Sequence, residues 1–218
     1  MADVLSVNEI FFSLQGEGAR AGLPCVLIRL AGCNLRCRWC DTTYAWDQGL
    51  LMPLGAILEQ VQSYRCNLVE LTGGEPCLQE SSPALLRQLC DLGYETLIET
   101  NGSMDIGGLD ERVVRIVDLK CPSSGESHRT RWENVPLLRA ADEVKFVLAD
   151  RADYDFARAA IAQHSLDRRC TVLLGLVAGR LAPGELARWM LQDPTLPRRV
   201  RLNLQLHKII WPDKDRGV

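Results

Sequence analysis

The sequence predicts an α/β fold in which parallel strands form an incomplete (partial) βα barrel of about six strands with few helices. Short apolar segments rich in β-branched residues alternate with segments of helical periodicity, which is the order of βα units. The helical segments are too few for a closed barrel of eight βα units. The 218 residues suit a single domain, which we expect to span residues 1–218.

The strands are expected at the most apolar segments, bounded by turn residues. Ligands of parallel sheets bind where the strands end at their carboxyl side, so the residues just after each strand are candidates for a site. The predicted strands are residues 24–30, 68–72, 96–100, 115–120, 143–148, 171–176 and 201–206.

Helical periodicity predicts helices over residues 54–64, 82–92, 152–164 and 183–191. Ser82 followed by Pro83 predicts an N-cap with proline at the first helical position. Gly93 lies where this helix should end, because glycine readily adopts the left-handed conformation of a helix terminus. Two polar segments, 41–53 and 122–136, are expected to be long loops.

Composition restricts the possible partners. The chain is 47% hydrophobic and 24% charged, and its net charge of −3 argues against a large basic surface for nucleic acid. No apolar run approaches the roughly 18 residues that cross a bilayer. The start, MADVLSVNEIFF, lacks the regions of a signal peptide. We therefore expect a cytoplasmic protein without nucleic-acid or membrane partners.

Three of the nine cysteines, Cys33, Cys37 and Cys40, follow the first predicted strand. An odd cysteine count without an export signal argues against a disulfide framework. Three thiolates on one tight loop suit a soft metal centre: zinc, copper(I) or an iron–sulfur cluster. A structural zinc site usually has four ligands, and no fourth lies nearby in the sequence. A [4Fe–4S] cluster held by three cysteines leaves one iron open.

The spacing Cys-x3-Cys-x-aromatic-Cys after a strand resembles the radical S-adenosylmethionine (SAM) superfamily. The resemblance implies a [4Fe–4S] cluster that binds SAM and cleaves it, upon reduction, to a 5′-deoxyadenosyl radical. It also places Trp39 beside the adenine. The segment Thr72-Gly73-Gly74-Glu75-Pro76 is similar to that superfamily's segment for the SAM amino group, and glycines let a ligand approach the backbone.

The segment Leu14-Gln15-Gly16-Glu17-Gly18 places an amide and a carboxylate between flexible glycines just before the first predicted strand. Such a pair can bind the donor and acceptor edge of a heterocycle, for example an aminopyrimidinone. By composition alone, the same segment is better interpreted as an exposed turn.

Together with the cysteine loop and the double glycine, this segment resembles the 7-carboxy-7-deazaguanine synthase family, and the resemblance covers nearly the whole chain. It implies that 6-carboxy-5,6,7,8-tetrahydropterin is converted to 7-carboxy-7-deazaguanine with loss of ammonia, on the route to queuosine and other 7-deazapurines. It further implies Mg²⁺ bound at Thr42, a flavodoxin or ferredoxin as electron donor, and a homodimer.

The same resemblance assigns the remaining site residues. The guanidinium of Arg29 suits the pterin carboxylate. Some members of the family place their C-terminal carboxylate near substrate, but this chain continues beyond Pro212, so we do not assign that contact to this chain. The expected contacts are Leu14, Gln15, Gly16, Glu17, Arg29 and Thr72 for substrate, and Trp39, Gly74, Ser123 and Ser124 for SAM.

Charged residues interrupt several of the apolar strands. Residues two apart in a strand share a face, and lone buried charges are costly. We expect these residues to line a polar interior or a site, with a solvated edge as the alternative; they are Glu99, Asp118, Lys120, Glu143 and Lys145. For His207 and Lys208 we expect a structural or surface role.

Two other functions compete with the synthase. A radical SAM activase of a glycyl-radical enzyme shares the segment Gly-Cys-Asn-Leu-Arg-Cys but does not need Gln15, Glu17 or Thr42. A zinc- or cluster-binding interaction module predicts bound metal without affinity for SAM.

Overall fold

Nine strands form one β-sheet in the computed structural model, which describes residues 3–218. The strands are β1 (Val4–Leu14), β2 (Pro24–Leu30), β3 (Leu50–Pro53), β4 (Leu68–Gly73), β5 (Glu95–Thr100), β6 (Val114–Asp118), β7 (Glu143–Leu148), β8 (Thr171–Leu176) and β9 (Arg201–Leu202). Their order across the sheet is β3-β1-β2-β4-β5-β6-β7-β8-β9.

The sheet is open and mostly parallel. Each neighbouring pair from β2 to β9 runs parallel, whereas β1 pairs antiparallel with both β2 and β3. The predicted α/β fold with an incomplete parallel sheet is therefore confirmed. The antiparallel edge was not predicted: β1 was not recognised as a strand, and β3 lies in the predicted loop 41–53.

The helices are α1 (Leu54–Ser63), α2 (Ser82–Asp91), α3 (Arg151–His164), α4 (Pro183–Gln192) and a short α5 (Leu206–Ile210). The first four match the predicted helices. The predicted strand 201–206 is wrong beyond Leu202, since the chain leaves the sheet after two strand residues and turns into α5. No helix within residues 3–218 is long and apolar enough to span a bilayer.

The ends of α2 show which local signals were informative. Ser82 is not the N-cap: that position belongs to Ser81, and the Ser82 hydroxyl instead donates to the Pro76 carbonyl at 2.7 Å. Gly93 has φ of +86°. The amides of Gly93 and Tyr94 donate to the Cys90 and Leu89 carbonyls, which is the Schellman ending that glycine favours.

Apolar side chains cover both faces of the sheet. The larger cluster packs the helices against the outer face and includes Leu85, Leu86 and Leu89 of α2. A smaller cluster closes the inner face near the start of the parallel strands, so the space above it is open only toward their carboxyl ends. It consists of Phe11, Cys25, Leu27, Leu68, Leu97, Val114 and Ile116.

The gap between β9 and β1 is bridged by the segments that follow these strands. The Leu206 amide donates to the Gly16 carbonyl at 2.9 Å. The Gly18 amide donates to Oδ1 of Asn203 at 2.8 Å. The sheet is therefore curved enough to bring its two flanks together around a central space.

We expect Leu85→Ala to lower the free energy of unfolding by about 2–5 kcal/mol, because it leaves a cavity at a fully buried position. Leu191→Ala is the matched control, since Leu191 is 88% exposed and its truncation should change stability by less than about 0.5 kcal/mol. Urea unfolding followed by circular dichroism measures both. Equal losses in the two variants would contradict the proposed packing of α2.

Candidate active site

A cavity of about 900 Å³ occupies the inner face of the sheet at the carboxyl ends of the parallel strands. Small-molecule sites span roughly 300–1,000 Å³, so this volume admits two ligands side by side. Strands β2, β4, β5, β6 and β7 all contribute side chains to its wall. The position agrees with the expectation that sites in parallel sheets lie beyond the strand ends.

Cys33, Cys37 and Cys40 are half-buried on the loop that follows β2, and all three line the cavity. The loop is held by main-chain bonds, including the Arg38 amide to the Ser124 carbonyl at 3.0 Å. Burial raises the pKa of the Cys37 thiol to about 11, although the nearby Lys120 ammonium opposes that rise. Metal binding at this loop therefore displaces protons.

The surroundings of the cysteines fit an iron–sulfur cluster. The Leu35 amide donates to the sulfur of Cys33 at 3.4 Å, and the Asn101 side chain donates to it at 3.8 Å. Within residues 3–218, no group of three or more His, Cys, Asp or Glu surrounds a single metal-ion position. A cluster places each cysteine on a different iron, so the sulfurs need not converge on one point.

The double glycine after β4 packs directly against the cysteine loop. The Gly74 amide donates to the Leu30 carbonyl at 3.0 Å, and a side chain at Gly74 would overlap the backbone of Gly32. Gly73 has φ of +131°, where a side chain would overlap Leu30. Glycine is therefore required at both positions, and the backbone of Gly74 remains open to the cavity.

Glu75 fixes this glycine turn to the end of β5. Its fully buried carboxylate accepts from the Thr100 hydroxyl at 2.7 Å, from the Asn101 amide at 2.6 Å and from the Cys77 amide at 2.9 Å. Burial raises the pKa of Glu75, and these donors oppose the rise. Through Asn101, Glu75 also stabilises the donor to Cys33.

Lys145 on β7 is the centre of a cluster of charged side chains on the cavity wall. Its ammonium lies 3.1 Å from Glu17, 2.5 Å from Glu99 and 3.8 Å from Asp118. Burial alone lowers a lysine pKa, but the three carboxylates outweigh it and raise the pKa of Lys145 well above its usual value. Lys120 forms a second pair with Asp118, at 2.9 Å.

These charged residues line the cavity as predicted, with one exception. Glu143 is buried but does not line the cavity, and its carboxylate accepts from the Ala19 amide at 3.1 Å. It stabilises the turn after β1.

Arg29 on β2 faces the cavity in a fixed orientation. Its Nε donates to Glu9 at 2.8 Å, and the Tyr44 hydroxyl donates to the same carboxylate at 3.1 Å. The guanidinium lies over the rings of Phe11 and Tyr44, with centroid distances of 5.7 and 5.9 Å. Such packing orients the planar cation for an anionic ligand.

The segment after β1 is anchored on both sides. Nε2 of Gln15 donates to Glu70, and Oε1 of Gln15 accepts from the Glu17 amide at 3.2 Å. The Glu17 carboxylate accepts from Asn203 at 2.7 Å and from Gln205 at 3.0 Å. Burial opposes ionisation of Glu17, but the Lys145 ammonium and the hydrogen bond from Gln205 outweigh burial and lower the pKa of Glu17.

Most of the predicted site residues lie together on the cavity wall. Three of the predicted residues do not line the cavity: Leu14, Ser123 and Ser124. Ser123 lies behind Trp39: its hydroxyl accepts from the indole N–H at 3.2 Å and donates to Asp153. The predicted residues that line the cavity are Gln15, Gly16, Glu17, Arg29, Cys33, Cys37, Trp39, Cys40, Thr42, Thr72 and Gly74.

Sequence reasoning missed several residues of this cavity. Glu70 interrupts an apolar strand as Glu99 does, so the same signal could have identified it. Burial and repulsion from Glu99 raise the pKa of Glu70 to about 8. His207 and Lys208, expected to be structural or surface residues, line the cavity, and so do Lys214 and other residues near the C-terminus.

The fold agrees with that of a known protein. The crystal structure of QueE from Escherichia coli superimposes with a TM-score of 0.72 over 94% of this chain and 95% of that chain, at 22% identity. The family model of the radical SAM superfamily matches residues 27–123. The fold and cysteine loop thus define a radical SAM enzyme, which implies a [4Fe–4S] cluster and SAM as cofactors.

Sequence relatives identify the family within that class. The 7-carboxy-7-deazaguanine synthase of Koribacter versatilis is 42% identical over 98% of this chain and 100% of its own length. That of Chlorobaculum tepidum is 44% identical over 98% of this chain and 97% of its own length. The chain belongs to the 7-carboxy-7-deazaguanine synthase family. The activase alternative is not favoured by these relatives.

We expect Lys145→Met to destabilise the fold by about 3–5 kcal/mol, because it leaves three carboxylates without their shared cation. Without Lys145, folding raises the pKa of these carboxyls, so the folded variant binds more protons than the unfolded variant. The loss of unfolding free energy should therefore grow from pH 5 to pH 8. Denaturant unfolding at both pH values measures it.

Lys208→Met is the control, since its pair with Asp41 is partly exposed and should contribute less than about 1 kcal/mol. A pH-independent loss in Lys145→Met would contradict the coupling of Lys145 to these carboxylates.

Proposed function

We propose that this protein converts 6-carboxy-5,6,7,8-tetrahydropterin to 7-carboxy-7-deazaguanine and ammonia. The main support is that one cavity contains the three-cysteine loop, the Gln15 side chain, which suits the edge of a heterocycle, and the Arg29 side chain, which suits a carboxylate. The names of the sequence relatives agree with this reaction. The substrate has the atoms of the product plus ammonia, so the conversion needs no net oxidant or reductant.

We assign the radical-generating end of the cavity to the cysteine loop and its neighbours. Cys33, Cys37 and Cys40 would hold the cluster, and the reduced cluster together with SAM would supply a radical for hydrogen abstraction from C6 of the pterin. The open backbone of Gly74 suits the SAM amino group. Trp39 packs against Val147, Ala149 and Val177, and the Lys120 ammonium lies 5.7 Å from its ring centroid.

Trp39 is thereby fixed as a flat surface beside the cysteine loop, which suits an adenine. Ser123 would act on SAM through its bond to Trp39, and the buried Ser124 would act by holding the cysteine loop through Arg38.

We assign the substrate to the part of the same cavity that is lined by β2, β4 and the segment after β1. Arg29 would bind the pterin carboxylate, and Thr72 is its register partner on β4. Gln15, Gly16 and Glu17 would bind or support the heterocycle. Leu14 ends β1 beside them and would contribute through its backbone position.

Mg²⁺ is the third expected cofactor, and we propose Thr42 as its protein ligand. The Thr42 hydroxyl lies on the cavity wall, 3.8 Å from the sulfur of Cys40. One hydroxyl, waters and substrate oxygens form a reasonable set of hard ligands for this ion.

The proposal extends to the protein's assembly and partners. A small electron-transfer protein such as flavodoxin or ferredoxin would supply the electron, and the chain would work as a cytoplasmic homodimer. A single domain over the chain is supported by the single sheet, whose strands come from residues 4 to 202.

Anaerobic turnover with SAM, dithionite, Mg²⁺ and the pterin tests this function, with product detected by mass spectrometry. Gln15→Ala should lower pterin turnover by about 10- to 100-fold through loss of buried hydrogen bonds, while SAM cleavage persists. Cys33→Ala should abolish both activities.

Gln88→Ala on the exposed surface of α2 is the control and should behave as wild type. SAM cleavage without product in the wild-type protein would favour the activase instead. Zinc without iron in the anaerobically purified protein would favour the binding module.

Thr42→Ala should raise the Mg²⁺ concentration for half-maximal turnover by at least roughly 10-fold, because a metal-contacting hydroxyl is lost. The neighbouring Thr43 is exposed and its alanine variant should keep the wild-type Mg²⁺ response. A Mg²⁺ titration of turnover separates the two variants, and identical curves would rule out Thr42 as the ligand.

A further inference from the structure

Glu70 is a deeply buried carboxyl that no assigned role explains. It lies on β4 in register with Leu27 and Leu97, which both belong to the apolar cluster that closes the inner face. Its residue is 2% exposed, yet it lines the cavity. Burying a carboxyl among apolar side chains costs free energy unless the carboxyl is fully hydrogen-bonded, so Glu70 lowers the stability of the fold.

Only part of this carboxyl is used within the protein. Oε2 accepts from Nε2 of Gln15. Among residues 3–218, no donor forms a hydrogen bond to Oε1. Oε1 is also not one of the solvent-inaccessible side-chain atoms that lack a hydrogen-bond partner. Each carboxylate oxygen can accept two hydrogen bonds. The carboxyl therefore has acceptor capacity directed into the cavity.

We propose that Glu70 is a specificity-determining residue that binds the 2-amino and N3–H donors of a 2-aminopyrimidin-4-one ring. This inference rests on the proposed pterin substrate and deepens it. The two ring donors are parallel and adjacent, and their spacing matches a carboxylate. Gln15 contacts the same carboxyl, so the amide and the acid form one recognition unit at the base of the cavity.

The charges around Glu70 favour a ligand rich in N–H donors. Glu17 and Gln15 face it from the segment after β1, Cys25 from β2, Glu99 from β5 and Lys145 from β7. Burial and Glu99 raise its pKa to about 8, so the carboxyl of the free protein is largely protonated at pH 7. Ring donors favour the ionised form, so binding should release a proton and tighten as pH rises toward 8.

The test compares two ligands that differ at one position. 6-Carboxypterin has the 2-amino group, whereas 6-carboxylumazine has a carbonyl oxygen there and would face Glu70 with an acceptor. Binding is measured by calorimetry on the anaerobic, cluster-loaded protein with SAM and no reductant. The wild-type protein should prefer 6-carboxypterin by about 10- to 100-fold, the range for hydrogen bonds to a charged group.

Glu70→Gln is the decisive variant. Its amide oxygen still accepts from Gln15, so a purely structural role is preserved, but its amide nitrogen cannot accept from the ring. The preference for 6-carboxypterin over 6-carboxylumazine should fall to about threefold or less. Proton release on binding, measured in buffers of different ionisation enthalpy, should disappear. Asp142→Asn is the matched control: Asp142 is also a buried acid but does not line the cavity, and it accepts hydrogen bonds from the Arg115 and Arg139 amides, so the preference should remain.

Each outcome separates the two proposals. A Glu70→Gln protein that keeps the wild-type preference would overturn the inference and leave the pterin substrate in place. A wild-type protein that binds neither ligand would overturn both. If Glu70→Gln does not fold, Glu70→Asp retains the charge at a greater distance, and it should weaken the preference without abolishing it; an unchanged preference there would also contradict the inference.

Discussion

The ion pairs of Lys145 are the interaction on which this site depends. One ammonium on β7 contacts carboxylates from β5, β6 and the segment after β1. An open sheet has no hydrogen-bond ladder across its gap, so its two flanks need another connection. Lys145, with Asn203 and Gln205 around Glu17, provides that connection at the level where ligands would bind.

The two sequence motifs of the site are joined by close backbone packing rather than by charge. Gly74 contacts Gly32 and Cys33, and Glu75 ties the same turn to Asn101, a donor to the sulfur of Cys33. The backbone of the cysteine loop is therefore held in place by contacts within the protein itself. Preorganisation of this kind lowers the cost of ordering ligands when a metal centre assembles.

Local signals in the sequence were sufficient for most of the parallel sheet. Residues 24–30, 143–148 and 171–176 were predicted with the bounds of β2, β7 and β8, because strands buried on both faces are largely apolar, even though charged residues interrupt two of these three. β1 was missed since Ser6, Asn8 and Glu9 interrupt its apolar pattern. The segment 201–206 has strand-like alternation, but Asn203 and Gln205 instead contact the turn after β1.

Only those parts of the site that consist of short sequence motifs were predicted. The cysteine loop and the double glycine are short motifs, and both line the cavity. The pairing of Glu17 with Asn203 and Gln205 could not be inferred, because these residues lie more than 180 residues away and no local pattern encodes that pairing. Glu70 could have been identified by the same reasoning that identified Glu99.

The bonds between Glu17 and residues 203–205 also affect how the protein is made. Segments separated by 186 and 188 residues must meet before the cavity is complete. At ribosomal rates of roughly 5–20 residues per second, the N-terminal segment waits roughly 10–40 s for its partners. The cysteine loop is synthesised early in that interval, so its thiols are exposed to oxidants and stray metals during translation, before the protein can enclose them.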